Sequence, residues 1–157
     1  MADEKQMKSA EAAYKLLCDM LDEDDWKFER SDDKLAVRFI VQGEDIPMEF
    51  VAAIDPDRYL IRIVSRLPFH FGEDARVAGA IVTGQVNFKL AEGCFDYDFS
   101  DGEVRFKLTS SYRDSLISKE LFNYMIRLAC YTVDMYNDTF MLVAKGMLSA
   151  DEFIAKL

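Results

Sequence analysis

The chain has 157 residues, 50% of them hydrophobic, with three cysteines, one histidine and a formal charge of −10. A chain of this length buries about 70% of its unfolded surface, enough for one domain without disulfide or metal support. Its acidity argues against non-specific nucleic-acid binding and against anionic membrane surfaces, which need a basic footprint, and its apolar content excludes a disordered chain.

The N-terminus MADEKQMK is acidic and mixed, without the apolar core of a secretory leader. No stretch approaches about 18 uncharged apolar residues, so no membrane span is expected. Cys18, Cys94 and Cys130 are odd in number and scattered, which suits ordinary thiols in a reducing compartment. The expected location is cytoplasmic.

Residues 3–22 predict a first helix, with Ala13, Leu16, Leu17, Met20 and Leu21 on one face. The acidic run Asp22-Glu23-Asp24-Asp25 follows as a solvated connector, because carboxylates disfavour a helix C-terminus. From Trp26 to Leu67 the alternation predicts a four-strand meander. Trp26 and Phe28 open it, Leu35 to Val41 form the second strand, Ile46 to Ile54 the third, and Tyr59, Ile61 and Ile63 the fourth. Two-residue loops at Asp32-Asp33, Gly43-Glu44 and Pro56-Asp57 would pair Phe28 with Val37, Phe39 with Met48, Val37 with Phe50 and Phe50 with Ile63. They would also set Arg38 against Glu49. Pro47 lacks an N–H and belongs where no ladder donor is needed.

Leu67-Pro68-Phe69-His70-Phe71-Gly72 is expected to break the sheet. Residues 73–91 predict a second helix ended by Gly93, its centre dominated by Ala75, Ala78, Gly79, Ala80 and Gly84. Such small residues predict close packing, since the glycines otherwise cost helix stability. Phe95, Tyr97 and Phe99 then alternate with acids, and Val104, Phe106 and Leu108 with bases, around Asp101-Gly102. A two-residue turn there would place Phe99 opposite Val104, Tyr97 opposite Phe106 and Phe95 opposite Leu108. On the other face Asp98 would meet Arg105, and Asp96 would meet Lys107.

A long helix follows over residues 118–145, with Ser118 as N-cap, an Ile117–Phe122 staple and Gly146 at C′. One broad stripe holds Leu121, Phe122, Met125, Ala129, Val133 and Phe140. A second stripe holds Tyr124, Leu128, Tyr131 and Met135, together with Leu142. The remaining sector, including Arg127, Asp134 and Asn137, is polar. A helix on one sheet face needs only the first stripe. The second implies another surface, either the first helix of the same chain or a second subunit, and names Tyr124, Leu128, Tyr131 and Met135 as candidate partner-binding residues. Ser149 to Glu152 is a capping box that opens a tail helix with Phe153 and Ile154.

Motifs for chemistry are absent. His70 sits between two phenylalanines with no ligand spacing beside it, and the cysteines form no Cys-x-x-Cys. Asp96 to Gly102 has the look of a calcium loop, but Gly102 falls at position seven and Lys107 at twelve. Gly79 and Gly84 have phosphate-loop spacing without the Lys and Ser/Thr, inside a helix. No nucleophile elbow is present around Thr109, Ser110 and Ser111. No cofactor, metal or catalytic residue is assigned.

The segment Asn87-x-x-Leu90-x-x-Gly93-x-Phe95-x-Tyr97-Asp98-x-x-Asp101-Gly102-x-Val104-x-Phe106, followed by the long helix and Gly146, resembles the YbjN family of candidate bacterial sensory transduction regulators. The meander and the Leu67-Pro68 break extend the resemblance over most of the chain. It implies an α+β fold like that of type III secretion chaperones: one domain over residues 1–157, in the order α-β-β-β-β-α-β-β-α, with helices flanking an antiparallel sheet. It also implies a cytoplasmic, non-enzymatic binding or regulatory protein with a protein partner, acting as a homodimer. The alternative is a small-ligand sensor or enzyme with a pocket between the second helix and the sheet, supported by His70 near Gly72 and the helix glycines.

Overall fold

A computed structural model describes residues 1–157. Helix α1 (Glu4–Glu23) leads into strands β1 (Phe28–Ser31), β2 (Ala36–Gln42), β3 (Pro47–Asp55) and β4 (Leu60–His70). Helix α2 (Arg76–Lys89), strands β5 (Cys94–Tyr97) and β6 (Glu103–Ser111), and helices α3 (Lys119–Ala144) and α4 (Ala150–Ala155) follow. The strands form one antiparallel sheet in the order β1-β2-β3-β4-β6-β5, so the meander and the hairpin join through β4 and β6. This is the expected α+β arrangement, an antiparallel sheet of a meander and a hairpin packed with helices.

Alternation sets the two sheet faces. Val37, Phe39, Phe50, Ile54, Ile63 and Phe106 point inward and are at most 3% exposed. The helices supply the opposing layer, through Leu17 and Leu21 of α1, Val82 and Val86 of α2, Phe122, Ala129 and Phe140 of α3, and Phe153 of α4. Each fully buried Val, Leu, Ile or Phe side chain among them contributes about 1.5–3 kcal/mol. Phe140 sits at the hub, with its ring centroid 5.0 Å from that of Phe95 and 5.5 Å from that of Phe153.

Local signals at the helix ends hold. Ser118 accepts from the Leu121 N–H at 3.2 Å, and Gly146 adopts φ +70°. Ser149 and Glu152 complete the capping box at 2.8 and 3.1 Å. A second capping box, between Asp3 and Gln6, starts α1.

The registers differ from expectation by two residues at every hairpin. Phe28 faces Phe39 rather than Val37, Phe39 faces Phe50 rather than Met48, and Ala52 rather than Phe50 faces Ile63. In the second hairpin Phe95 faces Phe106 and Tyr97 faces Val104, leaving Phe99 in the turn and 57% exposed. A two-residue type I′ loop needs positive φ at both central positions. Asp101 does not adopt it, and Pro56 cannot. Instead single left-handed residues, Leu35, Tyr59 and Gly102, end the turns that precede β2, β4 and β6. A shift of two keeps every side chain on its expected face, so the inside–outside pattern survives.

Three further differences follow from packing. The first strand begins at Phe28, and Trp26 lies outside it, edge-on to Phe39 at 5.2 Å. The sheet does not break at Leu67-Pro68; β4 runs on to His70, with Pro68 in an irregularity of the β4–β6 ladder between Arg66 and His70. A missing N–H is tolerated at such a point. Asn137, placed by sequence in the polar sector, is 1% exposed. Its burial follows because α1, α2 and α4 all pack on α3, widening the buried arc beyond one stripe.

Candidate functional site

The second stripe of α3 faces outward. Tyr131 is 65%, Tyr124 50% and Met135 44% exposed, while Leu128 is half-buried. Their spacing of four, three and four residues keeps them on one line along the helix. Beside them Leu90, Ala91 and Glu92, from the segment after α2, complete a shallow groove of about 290 Å³. The Tyr124 hydroxyl donates to the Glu92 carboxylate, and this bond raises the phenol's pKa. α1 reaches α3 elsewhere, through Lys119 and Glu23, and leaves this stripe uncovered.

Helix α2 carries an exposed line of its own that sequence reading missed. Val77, Ile81 and Phe88 are 61%, 45% and 86% exposed, with Gly84 between them. Only one of the two central glycines packs closely. A Cβ on Gly79 would stand 2.6 Å from the Phe71 ring and from the Tyr97 hydroxyl, whereas Gly84 has nothing within 4 Å. The same contact fills the space between α2 and the sheet, where Val82 and Val86 are fully buried. Around Gly79 the space between α2 and the sheet is thus filled by the Phe71 and Tyr97 side chains.

The outer face of the sheet carries a groove of about 700 Å³ over β2, β3 and β4, with Arg105 of β6 at its side. Its signal in the sequence is the apolar residues Ile40, Val51 and Val64 at positions where a solvated face would be polar.

The sheet has two edges. On β5 the edge is capped by α2. The Asn87 side chain accepts from the Phe95 N–H at 2.7 Å and donates to the Phe95 carbonyl at 2.9 Å, filling one residue's worth of strand pairing.

The acidic hairpin is engaged internally. Asp96 accepts from Arg105 at 3.1 Å and from Lys107 at 2.9 and 3.0 Å. Asp98 does not meet Arg105; it turns back to accept from the Ser100 N–H at 2.8 Å, and Asp101 accepts from the Glu103 N–H at 2.8 Å. His70 is exposed at the end of β4, its Nδ1 3.4 Å from the Asp101 carbonyl. No three residues among His, Cys, Asp and Glu converge as metal ligands. The three thiols are free, and burial raises the pKa of each, Cys130 to about 12, so none is an activated thiolate. No helix is long and apolar enough to cross a membrane.

The chain matches no protein-family model and no curated protein sequence. Among solved structures it is similar to YbjN, a candidate transcription regulator from E. coli, with TM-score 0.61 and 12% identity over 85% of this chain and 92% of that one. It is also similar to a chain of the HopA1–SchA chaperone–effector complex, with TM-score 0.55 and 14% identity over 82% of this chain and 95% of that one. At these identities the likeness is one of fold.

Proposed function

We propose that residues 1–157 form one non-enzymatic domain that binds a polypeptide, in a regulatory or chaperone-like role in the cytoplasm. Its contact surface is the outward stripe of α3, Tyr124, Leu128, Tyr131 and Met135, and two copies associate as a homodimer. The observation that carries this reading is the exposure of Tyr124, Tyr131 and Met135 in one line on a helix whose opposite side is core. Aromatic and methionine side chains at such density are the composition of binding surfaces rather than of solvated helix faces. The fold it shares with a chaperone–effector complex agrees with a protein partner.

Light scattering behind a sizing column, at several protein concentrations, tests the dimer. The expected result is twice the chain mass for the native protein and a single chain mass for Tyr131→Glu, with a cooperative melting transition that shows the variant is folded. A native protein that stays monomeric, or a folded Tyr131→Glu that keeps the dimer mass, overturns the assignment of this stripe.

A further inference from the structure

No helix of this chain covers the outer face of the sheet, and that face is not built for water alone. Ile40 is 60% and Val51 39% exposed; with Val64 and Pro68 they line the groove over β2, β3 and β4. Val51 and Val64 are direct partners in the β3–β4 ladder, so the apolar floor is continuous across the two strands.

The charge of this groove runs against that of the chain. Arg62, Arg66 and Arg105 line it together with one acid, Glu49, in a protein of net charge −10. Glu49 is already held by Arg38 in a two-pronged hydrogen bond at 2.9 and 2.7 Å. Arg66 stands directly opposite Arg105 in the β4–β6 register, an arrangement in which like charges destabilise a ladder. The acids nearby do not balance them. Arg66 reaches Glu103 only at 3.6 Å and is 72% exposed. Arg62 reaches Asp55 at 3.5 Å, and that carboxylate also faces Arg58 at 4.0 Å. Arg105 shares Asp96 with Lys107. An anion laid across this face relieves the Arg66–Arg105 opposition and gains charge-assisted hydrogen bonds.

We propose that the outer sheet face docks an acidic amphipathic helix of a partner polypeptide. Its apolar stripe lies on Ile40, Val51, Val64 and Pro68, and its flanking carboxylates meet Arg62, Arg66 and Arg105. A helix is the element that covers the inner face of the same sheet, and an apolar sheet face is closed by a second layer of this kind. The inference rests on the reading of the protein as a binding domain but uses a surface separate from the α3 stripe, so each test can fail alone.

The test is selection from a random-peptide display library against the native protein, with counter-selection against Arg66→Glu and, separately, Val51→Asp. Both side chains are exposed, and melting curves establish that the variants fold. The expected winners carry apolar residues at helical spacing flanked by Asp and Glu. A synthetic peptide of the winning sequence should bind roughly tenfold more weakly to Arg66→Glu and weaken with added salt. Winners without acidic bias, winners that bind both variants as well as the native protein, or no enrichment over the variants overturn the proposal. A fall in solution mass on Val51→Asp would assign the face to a second copy of this chain and overturn it as well.

Discussion

The side-chain amide of Asn87 pairs with the backbone of Phe95 at both ends, accepting its N–H at 2.7 Å and donating to its carbonyl at 2.9 Å. A helix residue thus occupies a position that a neighbouring strand would take. Asn87→Ala leaves two part-buried backbone groups unpaired and should cost about 2 kcal/mol in urea denaturation. Asn87→Asp should also destabilise, because a carboxylate keeps the acceptor but faces the Phe95 carbonyl with negative charge.

Two glycines make a matched pair. Gly102 has φ +77°, and a Cβ there would overlap the Phe71 carbonyl. The Phe71 N–H donates to the Gly102 carbonyl at 2.9 Å. Gly102→Ala combines backbone strain with a backbone collision and should cost about 3 kcal/mol or more. Gly84 lies inside a helix with open space around it. Gly84→Ala should stabilise by about 0.4–1 kcal/mol by limiting the unfolded chain. Thermal and urea melts of the two variants should therefore move in opposite directions.

Asp96 sets part of the acid response. Burial raises its pKa, but hydrogen bonds from Lys107 and Arg105 outweigh burial and hold the carboxyl below its ordinary value. A depressed folded-state pKa contributes stability above the unfolded value of about 3.9, and that contribution is lost as pH falls through the folded value. Asp96→Asn should cost up to about 1 kcal/mol at neutral pH, since both cations are more than a third exposed. The gap between native and variant stability should close as pH falls below the ordinary Asp value of about 3.9 and through the lowered folded-state value.

Burial keeps the Cys130 thiol protonated, with its pKa pushed up to about 12, and Cys18 is buried in the core. Maleimide at neutral pH should leave both unmodified in the folded protein, with slow labelling confined to Cys94. All three thiols should react once the chain is unfolded in guanidinium.

The legible parts of the fold are those carried by nearest neighbours along the chain. Ser118, Gly146 and the Ser149–Glu152 box mark helix ends because a cap needs only residues a turn away. The faces of the strands were legible because alternation has a period of two. Registers were not, because a slip of two residues, as at Phe28 and Phe39, preserves the alternation and changes only the partner. The turns decide it, through left-handed Leu35, Tyr59 and Gly102, and only glycine among these announces such a conformation in advance. The exposed lines of α2 and α3 were uneven in legibility for a related reason. Tyr124 to Met135 stand beside a separate core stripe and show as a surplus, whereas Val77, Ile81 and Phe88 pass for core in a helix that needs some.

By itself, the sequence determined the order of elements, the caps and which side of each strand faces the core, because those follow from spacing within one segment. Tertiary structure alone decided that Asn137 is buried, that Arg66 faces Arg105, and that one sheet face stays uncovered by any helix. Each of these depends on which distant segments meet, and contacts between distant segments are set by the packing of the whole core rather than by any local pattern.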